Sequence, residues 1–331
     1  MSIDNSTQLV HEVCFPNKNY VPIPGNKKDR KYDKKEDHLP YYMGFLNDEL
    51  KEMAEKELKE TDDRKEACLK KFRKLITAEK NFYVRTDDSC LLAYLRGKKF
   101  DVSRAFKMMQ NTYKLRMKKS FYDSPDNSIV HEVFKQNFIG FLPHRAKNGS
   151  AIFVVKLGQW DPEKVDRDLL MWVATHCVIH SIEDPATQVA GYTGIIDVRG
   201  VSQKHLKMLT LENILLIIYS TMSCFPGRYK GAHVIGMPKF FQVAWNMVYP
   251  FVFTLKMQKR IFIHGNDLKS LHKHISPSIL PEEYGGELPP FDNSWWHKMI
   301  LENNEWALDQ RLYGYMKAPP GAVAELASIP G

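Results

Sequence analysis

The segment GIIDVRG (194–200) has the composition of a strand buried inside a globular domain. Isoleucine and valine are β-branched, and a short apolar run bounded by glycines is typical of a strand that is covered on both faces. Three more runs of this kind are AIFVVKL (151–157), AHVIG (232–236) and RIFIHG (260–265). Helical patterns at 166–183 and 210–227 lie between them, Pro238 opens another helix before 260–265, and a helical pattern at 267–275 follows the last strand. This alternation predicts an α/β fold with a largely parallel sheet.

The chain before these strands has the pattern of helices. Asn47 can cap a first helix, 62–79 forms a second, Asp87 to Gly97 a third, and Asp101 caps a fourth over 102–119. No strand pattern occurs in this block, and 292–317 has the pattern of one more helix. We therefore divide the chain into an extended leader (1–46), an N-terminal helical subdomain (47–125), a central α/β domain (126–291) and a C-terminal helix and tail (292–331).

Composition limits the class of protein. The 331 residues are 44% hydrophobic and 26% charged, which is typical of a globular chain and not of a disordered one. Polar residues interrupt the longest apolar run, 211–225, so we expect no transmembrane helix. The first residues lack the basic start and apolar core of a secretory signal. The five cysteines form no CxxC pair, which favours a reduced, cytoplasmic protein.

Motifs of known chemistry are missing from the sequence. A Walker A loop, a GxGxxG after a strand, a GxSxG elbow and an HExxH helix do not occur. His176 and His180 have the i, i+4 spacing of a zinc pair, but no third ligand is evident, and we expect no metal. Asp197 is either a catalytic carboxylate or a partner of Arg199, and we favour the pairing. We expect no catalytic residue and no cofactor.

The segment 237–255, MPKFFQVAWNMVYPFVFTL, is apolar nearly all round, with Lys239 as its single formal charge. A surface helix should show a polar face. The segment is therefore either buried in the core, which its composition favours, or in contact with a lipophilic ligand and at times a membrane.

Basic residues flank this apolar segment on both sides. No acidic residue occurs between Pro226 and Gly265, and the whole chain has a net charge of +8. The flanking residues are Arg228, Lys230, Lys239, Lys256, Lys259 and Arg260. Charge of one sign around an apolar segment fits an anionic membrane surface. Nucleic acid is the competing partner, but no RNA- or DNA-binding motif is present, and we expect none to bind.

Five segments in order resemble the CRAL-TRIO lipid-binding family. They are LLAYLRGKKFDVSRAFKMMQNTYKLR (91–116), GIIDVRG (194–200), SCFPGRYKGAHVI (223–235), FVFTLKMQKRIFIHGND (251–267) and ILPEEYGGELP (279–289). The resemblance covers about 87–290, and the leader 1–60 has no counterpart in it. Gly236 stands where the family commonly has asparagine.

The resemblance implies helices first, then an α/β sheet forming a lipid cavity that a gate helix over 237–251 closes. A bound lipophilic ligand is then expected. The residues implied for the cavity and the gate are Trp172, Val173, His176, Cys177, His180, Ile195, Ile218, Met222, Phe240, Phe241, Val243, Ala244, Met247, Val248 and Phe251. Those implied for a basic, phosphoinositide-binding cleft are Lys98, Arg228, Lys230, Lys256 and Arg260.

The function expected from this resemblance is binding of a hydrophobic molecule (a retinoid, tocopherol, carotenoid or phospholipid) and its transfer between membranes. The basic cleft would dock on anionic, phosphoinositide-bearing membranes, and the gate helix would open there. We expect a cytoplasmic monomer that associates with membranes peripherally and reversibly. The alternative is a phosphoinositide-binding scaffold in membrane trafficking, whose cavity ligand is structural.

Overall fold

The computed structural model describes residues 38–118, 127–208, 210–238, 242–243, 245–246, 249, 253–303 and 313–315. The first 37 residues of the predicted leader lie outside these ranges. Its described end is packed against the fold, because the amide of Tyr41 donates to the carbonyl of Pro143 at 2.8 Å. The fully buried guanidinium of Arg145 donates to the carbonyl of Pro40 at 3.0 Å and to the carboxylate of Asp184 at 2.7 Å.

A helical block comes first, as predicted. Its caps match the sequence, since Asn47 accepts from the amide of Leu50 at 3.0 Å and Asp101 accepts from that of Arg104 at 3.0 Å. The elements are α1 (Asp48–Met53), a π-helical turn (Ala54–Leu58), α2 (Asp62–Ala78), β1 (Phe82–Tyr83), α3 (Asp88–Gly97), α4 (Val102–Lys118) and α5 (Asn127–Lys135).

The central sheet has five strands in the described part of the chain, in the order β2-β3-β4-β5-β6. The four strands read from the sequence pair in parallel, which confirms the α/β prediction. The strands are β2 (Ile139–Arg145), β3 (Ala151–Lys156), β4 (Tyr192–Asp197), β5 (Tyr229–Ile235) and β6 (Ile261–Gly265). The helices among and after them are α6 (Arg167–Ser181), α7 (Pro185–Ala190), α8 (Gln203–Leu206), α9 (Leu211–Tyr219), α10 (Leu255–Gln258), α11 (Leu268–His272) and α12 (Ser294–Glu302).

Three expectations about secondary structure were wrong or incomplete. The block between 47 and 119 does contain a strand, β1, which pairs antiparallel with β7 (Gly314–Tyr315). The tail over 292–317 is therefore not one helix, because Tyr315 lies opposite Phe82 in a two-stranded sheet. The sequence also gave no sign of β2, which pairs antiparallel with β3 at the sheet edge.

The two faces of the central sheet pack against different layers. We call the face that carries Phe141, Phe153 and Ile196 the front face. Phe141 and Phe153 pack there in a core cluster with Trp172 and Cys177 of α6. We call the opposite face the back face. Its side chains pack under α11 and the chain that follows, in a cluster of Ile152, Val154, Ile195, Ile235, Leu271, Ile275 and Leu280. The sheet is thus a middle layer between two cores.

Candidate functional site

The front face of the sheet carries apolar side chains that solvent still reaches. The partly accessible ones are Phe153, Val155, Ile196, Ala232, Ile261 and Ile263. Ile263 on β6 is 40% exposed, whereas Ile152, Val154 and Ile195 on the back face are fully buried. Parallel strands are normally covered on both faces. Part of the front face is therefore accessible to solvent, whereas Ile152, Val154 and Ile195 on the back face lie in a packed core.

Ile195 does not lie with the other predicted cavity residues. Its register partner on β3 is Val154, and both belong to the back-face core. Because side chains alternate along a strand, its neighbours Gly194 and Ile196 point to the front face. Ile196, the register partner of Val155, is the residue of this strand that lies on the front face, and the sequence pattern did not distinguish the two.

Helix α6 starts at Asp166, whose carboxylate accepts from the amide of Leu169 at 2.8 Å. The predicted cavity residues of this helix, Trp172, Val173, His176, Cys177 and His180, are all buried. Trp172 stacks on His176 with ring centroids 3.9 Å apart. Leu170 and Ala174, which the prediction missed, are only partly buried against the same core. The helix is apolar on two sides, so periodicity alone could not assign the accessible one.

Burial fixes the protonation state of the polar groups on α6. It lowers the pKa of His180 to about 3, and the nearby His176 adds to the effect. It raises the pKa of the Cys177 thiol to about 12, although Trp296 donates a hydrogen bond to its sulfur at 3.3 Å. At neutral pH both groups are uncharged. They suit contact with an apolar molecule and not ionic or nucleophilic chemistry.

Helix α9 is apolar but has no buried residue. Thr210 caps its start by accepting from the amide of Asn213, and only Leu216 packs against the front-face core. The predicted cavity residues Ile218 on α9 and Met222 in the following turn are half-buried. The exposed large residues of the helix are Leu211, Leu215, Ile217 and Tyr219. An amphipathic helix would bury one such stripe, so α9 has apolar surface to spare on two sides.

Most residues predicted for the gate, namely Phe240, Phe241, Ala244, Met247, Val248 and Phe251, lie outside the described residues. Val243 is described and is 62% exposed. The rings of Trp245, Tyr249 and Phe253 pack together with centroids 5.4–5.6 Å apart. The hydroxyl of Tyr249 donates to the carbonyl of Gln258 on α10 at 3.0 Å. This contact joins the end of the segment to the approach to β6.

Three of the five predicted phosphoinositide-binding residues lie together. Arg228 and Lys230 are next-but-one neighbours at the start of β5, and Arg260 precedes β6, the next strand of the sheet. The guanidinium of Arg260 donates to the carbonyl of Tyr229, which fixes it beside Lys230. We call Arg228, Lys230 and Arg260 the basic cluster. Like charges this close favour an anionic partner.

The other two predicted basic residues belong to other elements. Lys256 is exposed on α10. The ammonium of Lys98 at the end of α3 donates to the carbonyl of Met222 at 3.4 Å, and burial, with the charge of Arg104, lowers its pKa. It lies where the α9 helix ends in a π-helical turn (Ser220–Cys224), whose carbonyls attract positive charge. Lys98 therefore helps to hold this turn against the helical block.

The carboxylate of Asp197 is hydrogen-bonded to Arg199. It accepts from the amide of Arg199 at 3.0 Å and from the guanidinium of the same residue at 2.9 Å, as the structural interpretation of the sequence predicted. His264 is buried and hydrogen-bonded, with Nε2 2.9 Å from Nδ1 of His233.

Across the described residues, no group of three or more His, Cys, Asp or Glu side chains is placed to hold a metal ion. In the same part of the chain, no helix has both the length and the apolar content to cross a bilayer.

A helical block followed by an α/β sheet with one solvent-reached apolar face is an arrangement that suits a hydrophobic ligand. Family models agree with it: the CRAL/TRIO domain matches residues 135–286 and the CRAL/TRIO N-terminal domain matches residues 46–111. The chain belongs to the CRAL/TRIO family, whose members bind and transfer lipids. The match begins at 46, so the expectation that residues up to 60 have no counterpart was wrong for 46–60.

Individual relatives are similar over most of the chain. Clavesin-2 of Homo sapiens is 31% identical over 271 residues, which are 80% of this chain and 82% of that protein. Clavesin-1 of Mus musculus is 32% identical over 270 residues, which are 80% of this chain and 75% of that protein. A crystal structure of Sfh5 aligns with 80% of this chain and 99% of its own at a TM-score of 0.40 and 14% identity.

Proposed function

We propose that the protein binds one lipophilic molecule (of the retinoid, tocopherol, carotenoid or phospholipid class) over the front face of the sheet and transfers it between membranes. Docking takes place through the basic cluster on an anionic, phosphoinositide-bearing surface, and the 237–251 segment opens there. The protein acts as a cytoplasmic monomer that associates reversibly with membranes. Transfer breaks no covalent bond, so the proposal requires no catalytic group and no cofactor.

The observation that carries this proposal is the solvent-reached apolar surface of the front face and α9. Ile196 and Ile263 belong to a sheet whose back face is closely packed, yet solvent reaches both. Exposed apolar surface is costly at about 25 cal/mol per Å². An apolar molecule that covers this surface would recover that free energy, and the gain would favour binding of the molecule.

A carrier of this kind solves a physical problem. Removing a lipid chain from a bilayer into water costs about 0.8 kcal/mol per CH₂. A molecule with about twenty such groups faces a cost on the order of 16 kcal/mol. An apolar site on a protein offers an environment similar to the bilayer, so exchange at the membrane surface is nearly balanced. The basic cluster assists docking, because each basic residue near an anionic leaflet contributes about 1 kcal/mol.

Transfer between vesicles tests the proposal. A fluorescent lipophile moves from donor vesicles to acceptors that contain a phosphoinositide, and the protein should accelerate this movement well above the spontaneous rate. Arg260→Gln removes one charge of the basic cluster and should slow transfer to the anionic acceptors by about fivefold, since about 1 kcal/mol of attraction is lost. Lys74→Gln removes the same charge from an exposed site on α2 and serves as the control. Transfer no faster than the spontaneous rate with every probe would contradict the proposal.

A further inference from the structure

Glu57 brings a carboxylate to the basic cluster from the helical block. Its Oε2 lies 2.8 Å from Nζ of Lys230, and the same oxygen accepts from the guanidinium of Arg228. Glu57 is more than 170 positions from both of these residues in the sequence, and the side chains of Arg228 and Lys230 are only 12% and 19% exposed. The pair of contacts joins the helical block to the start of β5.

The backbone holds Glu57 in this position. It lies in the π-helical turn Ala54–Leu58, and the next residue, Leu58, is fully buried. Beyond the turn, Glu60 accepts from the buried guanidinium of Arg96 at 2.6 Å, which fixes the chain to α3. The buried residues Ala54 and Leu58 and the ion pair of Glu60 therefore anchor the main chain around Glu57. Its side chain, which is 41% exposed, can leave the basic cluster without unfolding the turn.

Charge at the site is unbalanced. Partial burial acts to raise the pKa of Glu57, but hydrogen bonds from Lys230 and Arg228 outweigh it and hold that pKa below its ordinary value. For Lys230 the balance differs: burial and the charges of Arg228 and Arg260 outweigh Glu57, and its pKa is lowered. A single carboxylate thus leaves a net positive charge among the cations of the basic cluster. The site retains capacity for a stronger anion than Glu57.

We propose that Glu57 is an internal counter-ion that occupies the anion site of the basic cluster, and that the phosphate of a membrane lipid headgroup must displace it to bind. A carboxylate and a phosphate both take charge-assisted hydrogen bonds from arginine and lysine, so the same donors cannot serve both in full. The inference rests on the proposed docking function and adds its regulation. Docking then breaks the contact of Glu57 with Arg228 and Lys230, which joins the helical block to β5. Glu57 therefore weakens binding to any anionic headgroup that uses this site.

Vesicle binding tests the displacement. Glu57→Gln removes the competing charge and should tighten binding to phosphatidylcholine vesicles containing a phosphatidylinositol bisphosphate by about fivefold, the effect of one or two partly exposed ion pairs. Glu55→Gln removes the same charge from the same turn, at an exposed side chain, and should change binding less than twofold. Glu57→Asp keeps the charge on a shorter side chain and should fall between the wild type and Glu57→Gln.

Three results separate the alternatives. Equal binding by Glu57→Gln, Glu55→Gln and wild type, together with weaker binding by Lys230→Gln, would overturn the role of Glu57 and leave the docking proposal standing. No preference of the wild type and Glu57→Gln for phosphoinositide vesicles over pure phosphatidylcholine would overturn both. Tighter binding of Glu57→Gln to soluble inositol hexakisphosphate, with unchanged binding to vesicles, would overturn the lipid headgroup as the displacing anion. Thermal unfolding of each variant confirms that it is folded.

Discussion

Gly236 is the residue at which the chain leaves β5 for the apolar segment, and its backbone is left-handed with φ of +69°. Glycine adopts this conformation freely, and asparagine, the family's usual residue here, tolerates it better than most. A Cβ at this position would lie 2.0 Å from Cγ of Arg199, whose guanidinium is held by Asp197. The absence of a side chain therefore lets Arg199 pack beneath the start of the segment.

Replacing Gly236 with alanine should destabilise the protein more than the same change at Gly265. Both positions have positive φ, which costs an alanine about 1–2 kcal/mol, but nothing lies within 4 Å of a Cβ at Gly265. The difference between the two variants in free energy of unfolding, measured in urea, isolates the clash with Arg199. Equal losses for both variants would show that Arg199 moves aside without cost.

Buried histidines make stability depend on pH. Burial, with the charges of His264 and His274, lowers the pKa of His233 to about 3. Burial also lowers the pKa of His180 to about 3. A histidine in the unfolded chain titrates near 6.5. Between these values the unfolded state binds protons that the folded state excludes. Stability is therefore complete above pH 6.5 and is lost as the pH falls toward 3.

The free energy of unfolding should thus fall between pH 7 and pH 5, by up to about 1.4 kcal/mol per pH unit for each histidine. Urea unfolding at several pH values measures this slope. His180→Gln removes one of the two groups and should give a shallower slope than the wild type. A slope that is unchanged in this variant would mean that His180 is protonated in the folded protein.

At the scale of elements, α9 has an unusual position for an apolar helix. Leu211 and Leu215 are 59% and 49% exposed, and the π-helical turn at the end of this helix contacts the helical block. There the π-helical turn accepts from Lys98 and from Asn111 on α4, the latter at 3.3 Å from the carbonyl of Ser223. Such a helix can contact a membrane or a ligand without disturbing the sheet.

Leu215→Gln should reduce transfer between vesicles severalfold while changing the free energy of unfolding by less than about 0.5 kcal/mol, since the side chain is half exposed in the fold. Leu215→Met keeps the apolar surface and is the matched control. Transfer assays and urea unfolding on the same preparations separate the two effects. A loss of stability comparable to that of a core substitution would assign Leu215 to packing and not to contact with lipid.

The sequence predicted the parallel strands because each is a continuous β-branched run, the pattern that burial on both faces imposes. It did not predict β2, since IGFLPHR contains Gly140, Pro143 and His144 and tolerates them only at the sheet edge. The pairing of Phe82 with Tyr315 also escaped it, because two-residue strands have no periodicity and form only through tertiary contact. Local sequence patterns thus predicted the four parallel strands but not the strands that depend on an edge position or on tertiary contact.

Less of the candidate site followed from the sequence, for geometric reasons. The alternation in GIIDVRG gives two sets of side chains, but only the packed structure shows that Ile196 and not Ile195 lies on the front face. The resemblance grouped five basic residues, and the structure places three of them, Arg228, Lys230 and Arg260, beside one another on neighbouring strands. The contacts of Arg228 and Lys230 with Glu57 join residues more than 170 positions apart, and no pattern of spacing could reveal them.

At the scale of the whole molecule, apolar side chains of the front face and of α9 remain accessible to solvent. We propose that a lipid covers that surface. Native mass spectrometry of the purified protein, followed by organic extraction, is the direct test. We expect one bound lipid per chain, or uptake of one from liposomes. A protein that is empty and takes up no lipid would contradict the carrier function and favour a membrane scaffold that binds phosphoinositides.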